Sequence, residues 1–107
     1  MSRWTVTLLS AAAIELAAMP GDIRARFGRI VGLIETHGLE KVREPHVRHL
    51  KGPLWEMRMT GRDGIARAIY VTATARRAVV VRVFSKKTQK TPARELRLAE
   101  RRAEEVV

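Results

Sequence analysis

Apolar residues change their period several times along this chain, and each change marks an element. Trp4-Thr-Val-Thr-Leu-Leu9 is rich in β-branched and aromatic residues and reads as a first strand. Ser10 is a good N-cap for a short helix over Ala11–Ala18, which Pro20-Gly21 ends. Asp22 caps a second helix, in which Ile23, Phe27, Ile30, Val31 and Ile34 recur at spacings of three and four. His37-Gly38 supplies its stop. The two helices are expected to form a hairpin whose apolar stripe needs a sheet to cover it.

Residues 40–53 read as a basic connector punctuated by Pro45, Gly52 and Pro53. Three strands follow, at 54–60, 65–73 and 78–85, joined by turns at Thr60-Gly-Arg-Asp-Gly64 and Thr74-Ala-Arg-Arg77. Thr91-Pro92 opens a terminal helix, with Thr91 as N-cap and Pro92 at the first helical position. Arg94, Glu95, Arg97, Glu100, Arg101 and Glu104 predict a solvated, ion-paired face on it. Its apolar stripe of Leu96, Leu98, Ala99 and Ala103 is narrow. The expected fold is therefore α+β: an N-terminal strand, a helical hairpin, a three-stranded antiparallel meander and a C-terminal helix. It would be one sheet with helices packed on one face, in a single domain spanning 1–107.

Strand parity divides the meander into two faces. Trp55, Met57 and Met59 share one side, with Ala66, Ala68 and Tyr70 and with Val79, Val81 and Val83. Glu56, Arg58, Arg67, Arg82 and Phe84 take the other, joined by Lys86 if the strand continues. Ile69, Val71 and Val80 also fall on that second face, so it is not wholly polar. The terminal helix or a partner protein is needed to cover them. A strand set that spends this many charges on one face builds a polar surface, and function is expected there.

Charge sharpens this picture. Residues 1–40 carry Arg3, Arg24, Arg26 and Arg29 against Glu15, Asp22, Glu35 and Glu40, so the formal +10 arises wholly from the remainder. A field localised in this way favours a polyanionic partner such as nucleic acid, an acidic protein or an anionic membrane. The absence of cysteine excludes disulfides and cysteine-based zinc sites, and makes a reducing cytoplasm the natural home. Thr7, Ser10 and Glu15 interrupt the only stretch that resembles a signal peptide. No segment approaches the roughly 20 apolar residues of a membrane span.

Catalytic possibilities narrow by elimination. There is no Gly-rich phosphate loop and no pair of carboxylates suited to glycosidase work. His46 and His49 lie in a Pro-rich basic connector with no Asp or Cys nearby, which argues for solvated or RNA-contacting histidines and no metal. What remains is a cluster of cations beside the single acid Glu56. Such a cluster suits binding of phosphate charge, and metal-free RNA cleavage in which the 2′-hydroxyl attacks the adjacent phosphorus. No cofactor is called for.

Leu54-Trp-Glu-Met-Arg58, Gly64-Ile-Ala-Arg-Ala-Ile-Tyr70 and Phe84-Ser-Lys-Lys-Thr-Gln-Lys-Thr-Pro92 occur in that order. Together they resemble the phage-derived, HigB-like branch of the RelE/ParE toxin superfamily, over nearly the whole chain. The resemblance implies the toxin of a type II toxin–antitoxin pair, cleaving messenger RNA on the ribosome without metal and silenced by a cognate antitoxin. Carried over by motif, Arg67 matches the arginine placed against the scissile phosphate. Lys86 and Lys87 fall where a basic residue follows the last strand, and Arg58 matches a basic position on the first meander strand. Leu54 and Glu56 stand where RelE itself has lysines, which leaves the general base open among Lys51, Lys86, Lys87 and Glu56.

The catalytic candidates are thus Arg67, Lys86, Lys87, Arg58 and Glu56, and the RNA-binding candidates Lys51, Arg82, Lys90 and Arg48. The expected partners are ribosome, messenger RNA and an antitoxin contributing an acidic or amphipathic segment. Two other readings stay open: a ParE-like toxin that poisons gyrase, and a non-catalytic basic module that binds RNA or the ribosome. Tyr70 has core parity and reads as structural.

Overall fold

The computed structural model describes residues 3–86 and 90–106, apart from the side chain of Lys86. Its elements run β1 (Thr5–Leu8), α1 (Ser10–Ala17), α2 (Gly21–His37), a 3-10 turn (Leu39–Lys41), β2 (Val47–Lys51), β3 (Leu54–Gly61), β4 (Gly64–Ala73), β5 (Arg77–Lys86) and α3 (Ala93–Ala103). The five strands form one sheet in the order β1-β5-β4-β3-β2, in which β1 runs parallel to β5 and every other pair is antiparallel. The α+β class and the meander are as expected. The connector contributes one strand more: β2 pairs with β3 as an edge strand, with Arg48 opposite Glu56.

Helix α2 lays Ile23, Phe27, Ile30 and Ile34 on the sheet. They meet Met57 and Met59 of β3, Ala66, Ala68 and Tyr70 of β4, and Ala78, Val80 and Val83 of β5 in one core. Gly38, at φ 94°, ends the helix in a backbone region closed to most side chains, and its N–H returns to the Ile34 carbonyl at 2.8 Å. Asp22 does not cap α2, because the N-cap is Pro20. Its carboxylate instead accepts from the backbone N–H of Ile23 at 3.0 Å and of Arg62 at 2.6 Å, tying the helix start to the β3–β4 turn.

The other face of the sheet is not open. Leu54, Ile69, Val71, Val79, Val81 and Phe84 form a second core with Ala99, against which Leu96, Ala103 and Val106 also pack. So α3 covers the face opposite α2, and the expectation that all helices share one face is corrected. The apolar residues of that face needed cover, and the narrow stripe of α3 supplies it. A register shift between Ile69 and Tyr70 leaves Val81 as an extra residue in β5: Ile69 opposes Arg82 while Tyr70 opposes Val80. Parity therefore flips inside β5. Val79 and Val81 lie with Arg82 and Phe84, whereas Val80 and Val83 join the α2 core.

Strand β1 stops at Leu8, opposite Val80, and leaves the rest of that β5 edge without a strand partner. Side chains fill the gap. The Val83 N–H donates to Glu15 Oε1 at 3.0 Å, and Arg102 Nη1 donates to the Val81 carbonyl at 2.9 Å. Glu15 of α1 also accepts from Arg82 at 2.6 Å and from Arg102 at 2.9 Å, while Arg82 grips both oxygens of Glu95 at 2.7 and 3.2 Å. Of the α3 residues expected to be solvated, Arg94, Arg97, Arg101 and Glu104 are exposed, but Glu95 is buried and joins Arg102 in an ion network that locks α1, β5 and α3 together.

Glu15 shows the balance of forces in this network. Burial pushes its carboxyl up, but hydrogen bonds from Arg102, the Val83 N–H and Arg82 outweigh that and hold it below the ordinary 4.5. Its contribution to stability is therefore full above that value and fades as pH falls through the lower folded value. Glu15→Ala should cost about 3 kcal/mol in urea unfolding at neutral pH, and the gap from wild type should narrow in acid below the ordinary carboxyl range. A loss under about 0.5 kcal/mol, the usual range for a surface change, would mean that the edge needs no such cover.

Candidate functional site

Strand register gathers the second-face charges at one place. Arg58 lies opposite Arg67 across β3 and β4, and Glu56 lies opposite Arg48 across β2 and β3. With Glu44 and Pro45 these four residues line a cavity of about 340 Å³. Three guanidinium groups against two carboxylates leave it cationic. Their depths differ: Arg67 and Glu56 are each 1% exposed, Arg58 is half-buried and Arg48 is exposed. The cavity therefore has a buried ion pair at its floor and two arginines towards solvent.

The floor is built around Glu56. Its Oε2 accepts from Arg67 Nη1 in a short contact, and its Oε1 accepts from the Thr91 hydroxyl at 3.1 Å. Thr91 is therefore not an N-cap; α3 is capped by Pro92 with no side-chain bond, and the Thr91 hydroxyl serves the site instead. Burial is the largest influence on Arg67 and pulls its pKa down. Glu56 opposes this, while Arg58 and Arg48 add to the lowering by repulsion. The Nε of Arg67 is buried and has no hydrogen-bond partner among the described residues. A guanidinium that is desolvated, repelled by two neighbours and incompletely bonded gains from the arrival of an anion.

The other candidates fall elsewhere. Arg82 is committed to Glu15 and Glu95, is about one-fifth exposed, and lies outside the arginine cavity. Lys51 makes a long, exposed contact of 3.8 Å to Glu100, which places it beside α3. Lys90 is exposed just before Thr91. Lys86 closes β5 opposite Ile65. Lys87 lies outside the described residues. No lysine or histidine lines the arginine cavity among the described residues. His49 Nε2 bonds the Gly52 carbonyl at 2.9 Å, and its ring packs edge-on against Trp55 at 4.9 Å. Tyr70 is buried in the α2 core, where burial raises its hydroxyl pKa. Among the described residues no group of three or more His, Cys, Asp or Glu is placed to hold a metal.

A larger cavity of about 760 Å³, lined by residues including Trp4 and Trp55, also touches Arg48 and Glu44. It balances Arg43 and Arg48 against Glu40 and Glu44, so it offers phosphate no net attraction. The smaller, cationic cavity is the better candidate for anion chemistry. Glu44 and Pro45 were not legible as part of it, because the loop that brings them there carries no local signal.

Comparison with known proteins settles the lineage. The family described as phage-derived protein Gp49-like matches residues 14–104, most of the chain. The chain belongs to the Gp49-like family. No curated protein sequence matches it. Among solved structures, it is similar to the archaeal RelE–RelB complex from Pyrococcus horikoshii OT3, at 20% identity and a TM-score of 0.58, covering 78% of this chain and 96% of that one. It is also similar to the toxin–antitoxin complex RelBE2 from Mycobacterium tuberculosis, at 19% identity and a TM-score of 0.50, covering 80% and 94%. At this identity the likeness is one of fold, and the Gp49-like chain has the RelE fold.

In this Gp49-like protein the buried pair has a measurable cost if broken. Glu56→Ala leaves the buried Arg67 guanidinium without its counter-ion beside two further arginines, and Arg67→Ala leaves the buried carboxylate without its cation. Each is expected to lose roughly 3–5 kcal/mol in urea unfolding. Arg48→Ala, at an exposed position, should stay within about 0.5 kcal/mol. A Glu56→Ala protein as stable as wild type would show that water reaches the pair freely.

Proposed function

We propose that this Gp49-like protein is the toxin of a type II toxin–antitoxin pair, of the HigB-like kind, and that it cleaves messenger RNA on the ribosome without metal. The observation that carries this reading is the cavity in which Arg48, Arg58 and Arg67 converge around a buried carboxylate. Its geometry suits the dianionic phosphorane that forms when a 2′-hydroxyl attacks the adjacent phosphorus. In that reaction the O2′–P bond forms as the P–O5′ bond breaks, leaving a cyclic phosphate and a 5′-hydroxyl. Arg58 and Arg48 meet the non-bridging oxygens from the solvent side, and Arg67 from the floor. The guanidinium groups supply the positive charge that a metal would otherwise bring.

Proton transfer requires another group. Glu56 is buried and already bonded to Arg67 and Thr91, so it is poorly placed to take a proton from substrate. We assign that role to Lys86 or Lys87 on sequence grounds: the lysine takes the proton of the 2′-hydroxyl, and a proton is returned to the departing 5′ oxygen. Lys51 and Lys90 are left as contacts to the RNA backbone, and Arg82 as a structural residue.

The partner is a cognate antitoxin with an acidic segment. Support comes from the net charge of +10 and from likeness in fold to proteins solved as RelE–RelB and toxin–antitoxin complexes. Ile69 and Val71 on that face are covered by α3 and Val80 lies in the α2 core, so charge is the main attraction. Among the described residues no helix is long and apolar enough to cross a membrane.

Induced expression in a bacterial host, with mapping of messenger RNA 5′ ends, tests the reading. Wild type should arrest growth and leave new cuts inside translated codons. Arg58→Ala, which removes a half-buried charge and spares the buried pair, should lower cutting roughly a hundredfold or more at unchanged protein level. Arg48→Ala should lower it less, through weaker RNA binding. Arrest without cuts would point to gyrase, and no arrest by folded wild type would leave a non-catalytic binding module.

A further inference from the structure

The two oxygens of Glu56 have different partners, and one of those partners lies outside the arginine cavity. Thr91 is only 9% exposed and comes 35 residues after Glu56 in the chain. Its position before Pro92 would let it begin a helix, yet its hydroxyl turns to the carboxylate at 3.1 Å. A carboxylate held at one oxygen can pivot about its last carbon–carbon bond. Held at both, it presents a fixed plane, and the guanidinium bonded to it takes the matching orientation.

Resting on the RNA-cleaving reading above, we propose that Thr91 is a positioning residue: through Glu56 it fixes the direction in which Arg67 meets the scissile phosphate.

The test compares Thr91→Val, which keeps the shape and removes the donor, with Thr91→Ser, which keeps the donor. Cleavage of ribosome-bound messenger RNA should fall on the order of tenfold to a hundredfold in Thr91→Val, in kcat with KM little changed. Thr91→Ser should restore it. The second readout is the nitrogen spectrum of the Arg67 guanidinium, whose rotation about its Nε–Cζ bond is slow while Glu56 holds it. Thr91→Val should speed that rotation and Thr91→Ser should not. Rotation as slow in Thr91→Val as in wild type would overturn the proposal whatever the cleavage rate does. Should wild type prove not to cut RNA, the reading of function fails by itself, and the spectrum alone decides whether Thr91 positions Arg67. If Thr91→Val does not fold, Thr91→Ala removes the same donor without adding an apolar branch and gives the same comparison.

Discussion

A salt bridge with both partners 1% exposed sits at the middle of this sheet, and much else is arranged around it. Taking two charges out of water costs several kcal/mol for each, and their mutual attraction returns that only with good geometry and further hydrogen bonds. The Glu56 carboxylate has such a bond from Thr91, whereas the Arg67 Nε has none among the described residues. An apolar pair at these positions would satisfy the second core more simply. The pair therefore stands as a feature that stability alone does not explain. Its position at the floor of a cationic cavity gives it a chemical reason to exist.

The same logic extends to the α3 side of the sheet. Helix α3 packs its apolar stripe on one half of that face, and leaves the arginine cavity on the other half towards β2. What holds α3 there is the network of Glu15, Arg82, Glu95 and Arg102, which also covers the bare edge of β5. Two ionic clusters on one face thus divide the labour. One, self-neutralising and tied to three elements, is architectural. The other keeps an excess of positive charge and faces a cavity.

Sequence patterns disclosed the parts whose period is strong and local. Helix α2 and the three meander strands could be read from spacing, and parity correctly put Glu56, Arg58 and Arg67 on one face. Three things were hidden, each for a physical reason. Strand β2 is short, charged and irregular between His49 and Lys51, as suits a sheet edge, so it resembled a connector. The extra residue at Val81 cannot be inferred from alternation, and it reversed the faces of Val79, Val80 and Val81. The partners of Arg82 and Thr91 lie 67 and 35 residues away in Glu15 and Glu56, so one looked like an RNA contact and the other like a helix cap. Arg48 reached the cavity only through the β2–β3 register.

If the buried pair is kept for chemistry, its removal as a pair should separate activity from stability. The direct measurement is thermal unfolding and growth inhibition of the double variant Glu56→Leu/Arg67→Met. Replacing both charges with apolar side chains of similar size should leave a cooperative fold that melts close to wild type or above it. That folded protein should no longer arrest growth. A double variant that is folded and still arrests growth as wild type does would contradict a role for Arg67 at the phosphate, and would return the pair to architecture.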